Sequence, residues 1–556
     1  MRLRLPAIGI AIALVLGACG GTTSSGSPSA ALPSTAASSA PSSAASASPS
    51  GAGGDSVLRV ARLADHYNFW HPVQFQTGNQ FQWFSSVFNT LVEAEADSKT
   101  VIGDLAETYE VSPDASVYTF HLVENATWHD GEAFNADDVM FTINWTVQNW
   151  DAFKGFLPHW IQIKGADAVL GTTNTPEGLK KIDDSTVEIT LAAPNAGFLY
   201  SLTDMANMIL PEHILKDVTK ADVEKIDFTV GKPGITIGTG PYKLTNFTAD
   251  QSVELDAFPE YFKGAPKIQK IIFKLFADPA LAVAQLESGD LDLAFRVSPG
   301  EFDRLAAVPT LNAISADNPG IVRIVFKTEA APWSDKRVRQ AFYTAINRKA
   351  IVDDFYKGRA RVLINPPGFK EYDDLNRYDY NVDTAKQLLA DGGYKGETFK
   401  LLYNQTFPDA QAIMPLIQSD LQAAGVTVEL VPTDNETYLA KYNDRTQWDG
   451  FIAVGGSEGL SPDRSAQYFP KDGKAESGYT NPRIFELWAE GRSTADPAKQ
   501  DEIYHELAKI LNEDAPQANL YSPNLVMVAS KRLGGGFDIH LNERESFMDV
   551  ETWTLQ

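Results

Sequence analysis

Thr398-Phe399-Lys400-Leu401-Leu402-Tyr403-Asn404 reads as a β-strand. From Ala410 to Ala424 the apolar residues Ile413, Leu416, Ile417, Leu421 and Ala424 then recur at helical spacing. Gly425 stops that helix, and Val426, Val428 and Leu430 alternate as a second strand. Strand, helix and strand at this spacing form a βαβ unit, which demands a parallel pair joined by a right-handed crossover. The unit places the chain in the α/β class.

Working outward, Asp278–Ser288 predicts a helix closed by Gly289, with Leu291, Leu293 and Phe295 alternating after it. Ser334 is suited to N-cap a helix carrying Val338, Ala341, Phe342, Ala345 and Ile346 on one face. Asp383 is suited to cap a short helix ended by Gly392-Gly393. Ala498 to Asp514 predicts a helix burying Ile503, Leu507, Ile510 and Leu511, stopped at Pro516. The 556 residues allow several domain-sized units, and 44% hydrophobic residues suffice to give them cores. A net charge of −25 opposes binding to nucleic acid or to an anionic membrane surface, which needs clustered Lys and Arg. The one cysteine, Cys19, excludes intramolecular disulfides, cysteine-rich zinc sites and a Cys–His catalytic pair.

Residues 1–19 read as an export signal: Arg2 and Arg4, then an apolar run from Leu5 to Leu16 too short to span a bilayer. Leu16-Gly17-Ala18-Cys19 resembles a bacterial lipobox, so Cys19 is the expected lipidation site. From Gly20 to Gly54 every residue but Leu32 is Gly, Ser, Thr, Ala or Pro. This segment (20–54) is expected to be a flexible tether with a root-mean-square span of roughly 30–35 Å. A body starting near Asp55 would then float off the outer face of a membrane.

Blocks of the body resemble a known family. Leu105-Ala106-Glu107-Thr108-Tyr109-Glu110-Val111-Ser112, Tyr118-Thr119-Phe120-His121-Leu122 and Trp128-His129-Asp130-Gly131-Glu132-Ala133-Phe134-Asn135-Ala136-Asp137-Asp138-Val139 come first. Gly238-Thr239-Gly240-Pro241-Tyr242 and Tyr261-Phe262-Lys263-Gly264-Ala265-Pro266-Lys267-Ile268 follow. Then come Gln285-Leu286-Glu287-Ser288-Gly289-Asp290-Leu291-Asp292 and Lys336-Arg337-Val338-Arg339-Gln340-Ala341, running into Ala345-Ile346-Asn347-Arg348. In this order they resemble the extracellular solute-binding proteins, family 5, of ABC importers, which include oligopeptide-, dipeptide- and nickel-binding members. The resemblance implies a two-lobed, periplasmic-binding-protein-like α/β fold of type II, in the large cluster with an extra subdomain. Lobe one would take residues 55–319 and 521–556, with the subdomain near 93–237, and lobe two 320–520. Ligand would be engulfed between the lobes and read by a membrane permease, with no chemistry and no cofactor.

The same resemblance singles out ligand-binding candidates. His66-Tyr67-Asn68-Phe69-Trp70-His71-Pro72, with Phe75, Gln76 and Trp83, combines stacking faces with amide donors that suit sugars and peptide side chains alike. The alternative reading of this segment is an aromatic cluster packing lobe one. Gly455-Gly456-Ser457-Glu458-Gly459-Leu460-Ser461-Pro462-Asp463 follows the strand-like Phe451–Val454. Peptide binders of the family place an Asp here to pair with the ligand's α-amino group, whereas this chain has Ser457, with Glu458 beside it. Either Glu458 takes over that pairing or the ligand carries no amine, and an oligosaccharide then becomes the alternative to a peptide. Trp448, just before the Ser457 loop, joins the ligand-binding candidates as a core or cleft-rim residue, the reading also given to Trp333 and Trp488. Tyr521 falls where the chain crosses back between lobes and is expected as a hinge-side contact.

Two other chemistries are weighed against binding. Gly455-Gly456-Ser457-Glu458-Gly459 matches the G-x-S-x-G pattern of a secreted serine hydrolase, with His505 or His540 as base. Pro462, however, breaks the helix that such a nucleophile needs after it. For a metal, His66 and His71 lack the i, i+4 spacing of ligands on one helical face, and His129 reads as structural. The expectation is therefore a monomeric, lipid-anchored extracytoplasmic binding protein, in a periplasmic space or on the outer face. Its partners would be a peptide or oligosaccharide and ABC permease subunits, and no metal is expected.

Overall fold

Hydrophobic alternation along Val57–Leu63 sets the first layer: Leu58 and Val60 are fully buried in one core and Ala61 in another on the opposite face. The computed structural model describes residues 56–63, 81–95, 100–149, 159–218, 222, 236–248, 251–276, 278–295, 297–317, 320–365, 368–407, 409–455, 462–469, 477–494, 496–537, 547 and 549–556. Cys19 and the Gly20–Gly54 segment lie outside them. Val57–Leu63 runs parallel to both Lys270–Phe276 and Leu293–Phe295. The full sheet has seven strands in the order Leu311–Ala316, Leu525–Ser530, Leu293–Phe295, Val57–Leu63, Lys270–Phe276, Ser252–Ala257, Tyr242–Thr248. Leu293–Phe295 is buried on every residue, because strands flank it on both sides.

A second sheet of six strands is ordered Ala360–Val362, Gln517–Pro523, Ile321–Phe326, Gly450–Gly455, Phe399–Asn404, Val428–Thr433. It contains the βαβ unit read from the sequence: Phe399–Asn404 lies parallel to Val428–Thr433, joined by helix Ala410–Ala423. Ile413, Ile417 and Leu421 line the buried stripe as expected, but Met414 completes it, whereas Leu416 is 46% exposed. Two expected caps move by one or two residues. Asp335 rather than Ser334 caps Lys336–Ala345, and Asn381 rather than Asp383 caps Val382–Asp391, each accepting a backbone N–H of the first turn.

The third main sheet, Ala106–Val111, Val117–Leu122, Thr186–Thr190 and Leu179–Asp183, is antiparallel and buries one face. Tyr118, Phe120 and Leu122 point inward from alternate positions. Helix Ala136–Gln148 covers that face with Val139, Ile143 and Val147, and a capping box between Asn135 and Asp138 starts it. His129 ties this subdomain to the seven-stranded lobe. Its Nδ1 accepts from the Gly238 amide at 3.2 Å and its Nε2 donates to the Gly240 carbonyl at 2.9 Å. Burial depresses its pKa to about 4, so the imidazole is neutral, which is the structural role its position implies.

The chain passes between the two large sheets at two places lying side by side. Leu311–Ala316 belongs to the seven-stranded sheet and Ile321–Phe326 to the six-stranded one. The return runs from Gln517–Pro523 to Leu525–Ser530, with Ala316 paired to Leu525 and Val322 to Tyr521. Sheet membership thus changes at Asn524, a few residues beyond the expected boundary, and Tyr521 belongs to the six-stranded lobe. Asn524 fastens the junction: its Nδ2 donates to Ser315 Oγ at 3.1 Å and its amide to the Arg359 carbonyl at 2.9 Å.

Where the subdomain meets lobe one, charge is buried. Lys263 Nζ lies 2.7 Å from Glu93 and 2.8 Å from Asp104, which are 7% and 2% exposed while the lysine side chain keeps 25%. Asp104 also accepts from Asn89 Nδ2 and from the Thr90 amide. Burial, reinforced by Asp104, pushes the Glu93 carboxyl up to about 8, and burial lifts Glu551 to about 7. Both acids favour their protonated form in the folded state, so their contribution is complete below the unfolded value of 4.5 and is lost as pH climbs towards 8. The urea midpoint should therefore fall between about pH 5 and about pH 8.5, by on the order of a few kcal/mol of stability. Glu93→Gln should flatten that fall, and an unchanged pH profile in the variant would show that Glu93 carries no proton.

Candidate functional site

In open α/β sheets, ligands are held beyond the carboxyl ends of strands, where neighbouring connections diverge. Val57–Leu63 lies between two parallel partners, and its carboxyl end leads into residues 64–80. Phe399–Asn404 likewise lies between the parallel strands Val428–Thr433 and Gly450–Gly455, the latter leading into residues 456–461. Gly455 pairs with Ile321, at the first crossing between lobes, and Tyr521 pairs with Val322. Both strand exits therefore open on the edge of their sheet where the lobes are joined. Tyr67, Asn68, Phe69, Trp70 and Gln76 lie outside the described residues, as do Gly456, Ser457, Glu458 and His540.

The three other candidates are placed, and two of them sit in cores. Trp83, on helix Phe81–Val87, is 4% exposed and stacks on Phe84 and Phe247 with ring centroids 6.0 Å away in each case. It packs lobe one, the alternative weighed for the aromatic segment. Trp448 is 2% exposed, edge-on to Phe451 at 5.0 Å, and donates from Nε1 to the Tyr442 carbonyl at 3.3 Å. It precedes strand Gly450–Gly455, whereas Ser457 follows it. A strand advances about 3.3 Å per residue, so closeness in sequence becomes separation across the whole sheet. Trp448 is a core residue at the far edge. Trp333 and Trp488 are each 2% exposed and also lie in apolar cores.

Tyr521 stays at the joined edge, buried against Tyr356 with ring centroids 5.3 Å apart. Tyr356 donates its hydroxyl to Asp409 Oδ2 at 2.8 Å, and burial raises both the Tyr521 hydroxyl and the Asp409 carboxyl above their ordinary values. Tyr521 and Tyr356 belong to the apolar core of the six-stranded lobe.

Arg323 was not singled out by sequence. It lies on Ile321–Phe326, opposite Ala453 and Asn519, and is 2% exposed. Its guanidinium stands 4.0 Å over the ring of Tyr468, on the short helix Pro462–Tyr468 that follows residues 456–461. A positive charge is thus buried two residues inside the joined edge, covered by Tyr468. The signal was present: Ile321-Val322-Arg323-Ile324-Val325-Phe326 is an apolar strand interrupted by one cation.

The family model described as bacterial extracellular solute-binding proteins, family 5, matches residues 100–477. A Brucella ovis protein named as an ABC transporter peptide-binding protein is 30% identical over 473 residues, covering 82% of this chain and 85% of that one. The chain belongs to family 5 of the extracellular solute-binding proteins. Another relative, the dipeptide-binding protein of Escherichia coli, is 27% identical over 474 residues, covering 80% of this chain and 86% of that one. Among solved structures, the oligopeptide-binding protein of Bacillus subtilis in complex with a nonapeptide superposes with a TM-score of 0.77. It is 23% identical and covers 90% of this chain and 99% of its own, a likeness of fold. The family 5 fold is therefore the two-lobed type II architecture with its subdomain, as the sequence blocks imply.

Because Trp448 is packed in the core, Trp448→Ala should cost about 3–5 kcal/mol of stability. A urea titration checks this, and a variant as stable as the parent would mean that the ring faces solvent or ligand.

Proposed function

We propose that this protein captures a peptide-class solute between its two lobes and delivers it to the membrane subunits of an ABC importer. The observation that carries this reading is the similarity to proteins named for peptide binding, which runs through both lobes and the subdomain. Residues 64–80 and 456–461, which follow in sequence the strands ending at the joined edge, are the segments we assign to the ligand, with Tyr67, Asn68, Phe69, Trp70, Gln76, Gly456, Ser457 and Glu458 as contacts. Glu458 takes the ligand's amino group where peptide binders of the family use an Asp, and Ser457 lies beside it. Binding, not catalysis, is the role, and the protein works as a monomer. A lipid on Cys19 would hold it to the outer face of the cell membrane, with 20–54 as the tether.

An oligosaccharide is the second reading, favoured by the Ser at the position of the family's amine-binding Asp. Native mass spectrometry of the purified protein, before and after mild denaturation, separates the two. A released series differing by amino-acid residue masses supports the peptide reading, and hexose or pentose increments replace it with the sugar. With a peptide in hand, Glu458→Gln should weaken binding by about 1.5–3 kcal/mol, the worth of a hydrogen bond to a charged group. Unchanged affinity in a titration would remove Glu458 from that role. Cys19→Ser should release the protein from the membrane fraction. Fluorophosphonate labelling that disappears in Ser457→Ala would instead make this a hydrolase.

A further inference from the structure

Helix Ala136–Gln148 buries Val139, Ile143 and Val147 in the subdomain core and Trp145 in the core of lobe one, and the side between them borders a cavity. Asp137, Phe141, Asn144 and Gln148, spaced 4, 3 and 4 residues apart, form one stripe on that side. The stripe lines a cavity of about 580 Å³, closed on other sides by residues 171–173 and by Glu212, Lys216 and Val218. That volume lies within the range of small-molecule sites.

The lining is rich in acceptors. Asn144 Oδ1 is buried and receives no hydrogen bond among the described residues, an unusual state that an incoming donor would relieve. Asp137 is paired with Lys181 at 2.8 Å, while the Glu212 carboxylate carries no ion pair among the described residues. Lys216 is the one cation lining the cavity against these two acids. The rings of Phe141 and Trp145, stacked with centroids 6.2 Å apart, add a flat apolar wall along which a planar cation can lie. The chain's net charge of −25 draws cations towards it.

We propose that this cavity binds a guanidinium or ammonium group of a small solute, with Asn144 Oδ1 and the Glu212 carboxylate as its acceptors. The site goes beyond the reading above, because the residues named as its lining all belong to lobe one and its subdomain, whatever is held between the lobes. Calorimetric titration of the full chain with arginine amide and with citrulline amide, both acetylated on the α-nitrogen so that only the arginine derivative carries a charge, tests it. Arginine amide should bind saturably and citrulline amide about tenfold more weakly, since the charge-assisted bonds are lost. Asn144→Leu and Glu212→Gln should each weaken arginine amide about threefold or more, with unchanged thermal midpoints. Absence of binding, equal affinity for the two amides, or unchanged affinity in both variants overturns the site. Binding lost in Glu458→Gln but retained in both cavity variants would put the cation between the lobes, overturning this inference while leaving the peptide reading in place.

Discussion

Everything in this molecule that moves or binds depends on two short pieces of backbone passing side by side between two sheets. Ala316 paired to Leu525 on one side of the junction and Val322 paired to Tyr521 on the other make the crossing a two-stranded ribbon. Two adjacent crossings of this kind are where a relative rotation of the two sheets would be absorbed. The charged neighbours keep the ribbon in register. Lys357 lies 3.4 Å from Asp303 across the junction, Arg359 also pairs with Asp303, and the Arg359 guanidinium stands 4.1 Å over Phe302. Because the candidate segments follow strands that end at this same edge, the crossing that would absorb rotation also decides where a ligand can be enclosed.

The subdomain is attached by a different principle. It joins lobe one through groups taken out of water: neutral His129 between Gly238 and Gly240, and Lys263 between Glu93 and Asp104. Removing one member of such a set strands the others without partners, which costs far more than an exposed pair contributes. Gly238 and Gly240 are required here for space. A Cβ at Gly238 would lie 1.8 Å from the Val87 carbonyl oxygen, and one at Gly240 would lie 2.5 Å from the Val87 carbonyl carbon. The Gly238-Thr239-Gly240-Pro241-Tyr242 block, met first as a resemblance, therefore has a packing cause: backbone pressed on backbone at the seam between subdomain and lobe.

Much of the fold was legible, because its signals are local. The βαβ unit follows from periodicity, and Asp278 and Gly289 bound their helix as capping rules require. Local signals failed where geometry is decided at a distance. Leu416 and Met414 are adjacent to the same apolar stripe in sequence, and only the angle at which the helix lies on the sheet decides which is buried. Trp448 was drawn into the site by its nearness to Ser457, although a whole strand intervenes. Arg323 went unremarked although it breaks an apolar strand, because an arginine inside a sheet is meaningful only once Tyr468 is known to cover it. The stripe Asp137, Phe141, Asn144 and Gln148 starts inside a block read for resemblance and runs beyond its end at Val139, and its meaning depends on Glu212 arriving from another segment.

On the proposed reading, closure must be driven by the ligand, and the contacts between lobes are consistent with that. Beyond the hinge, subdomain and lobe two meet where the Ala196 amide donates to the Arg492 carbonyl at 3.3 Å. A hydrogen bond of this kind contributes about 0.5–1.5 kcal/mol net, and an exposed ion pair such as Lys357 with Asp303 about 0–1 kcal/mol. Moving an open–closed equilibrium from one extreme to the other takes about 5.5 kcal/mol of differential affinity. These contacts supply only part of that. The remainder has to come from groups that a solute engages in both lobes at once. Val57–Leu63 on one lobe and Gly450–Gly455 on the other both end at the joined edge, and the segments proposed for the ligand follow them in sequence. A solute bridging them gains contacts only when the lobes approach, so its affinity and the closure are one free energy measured in two ways.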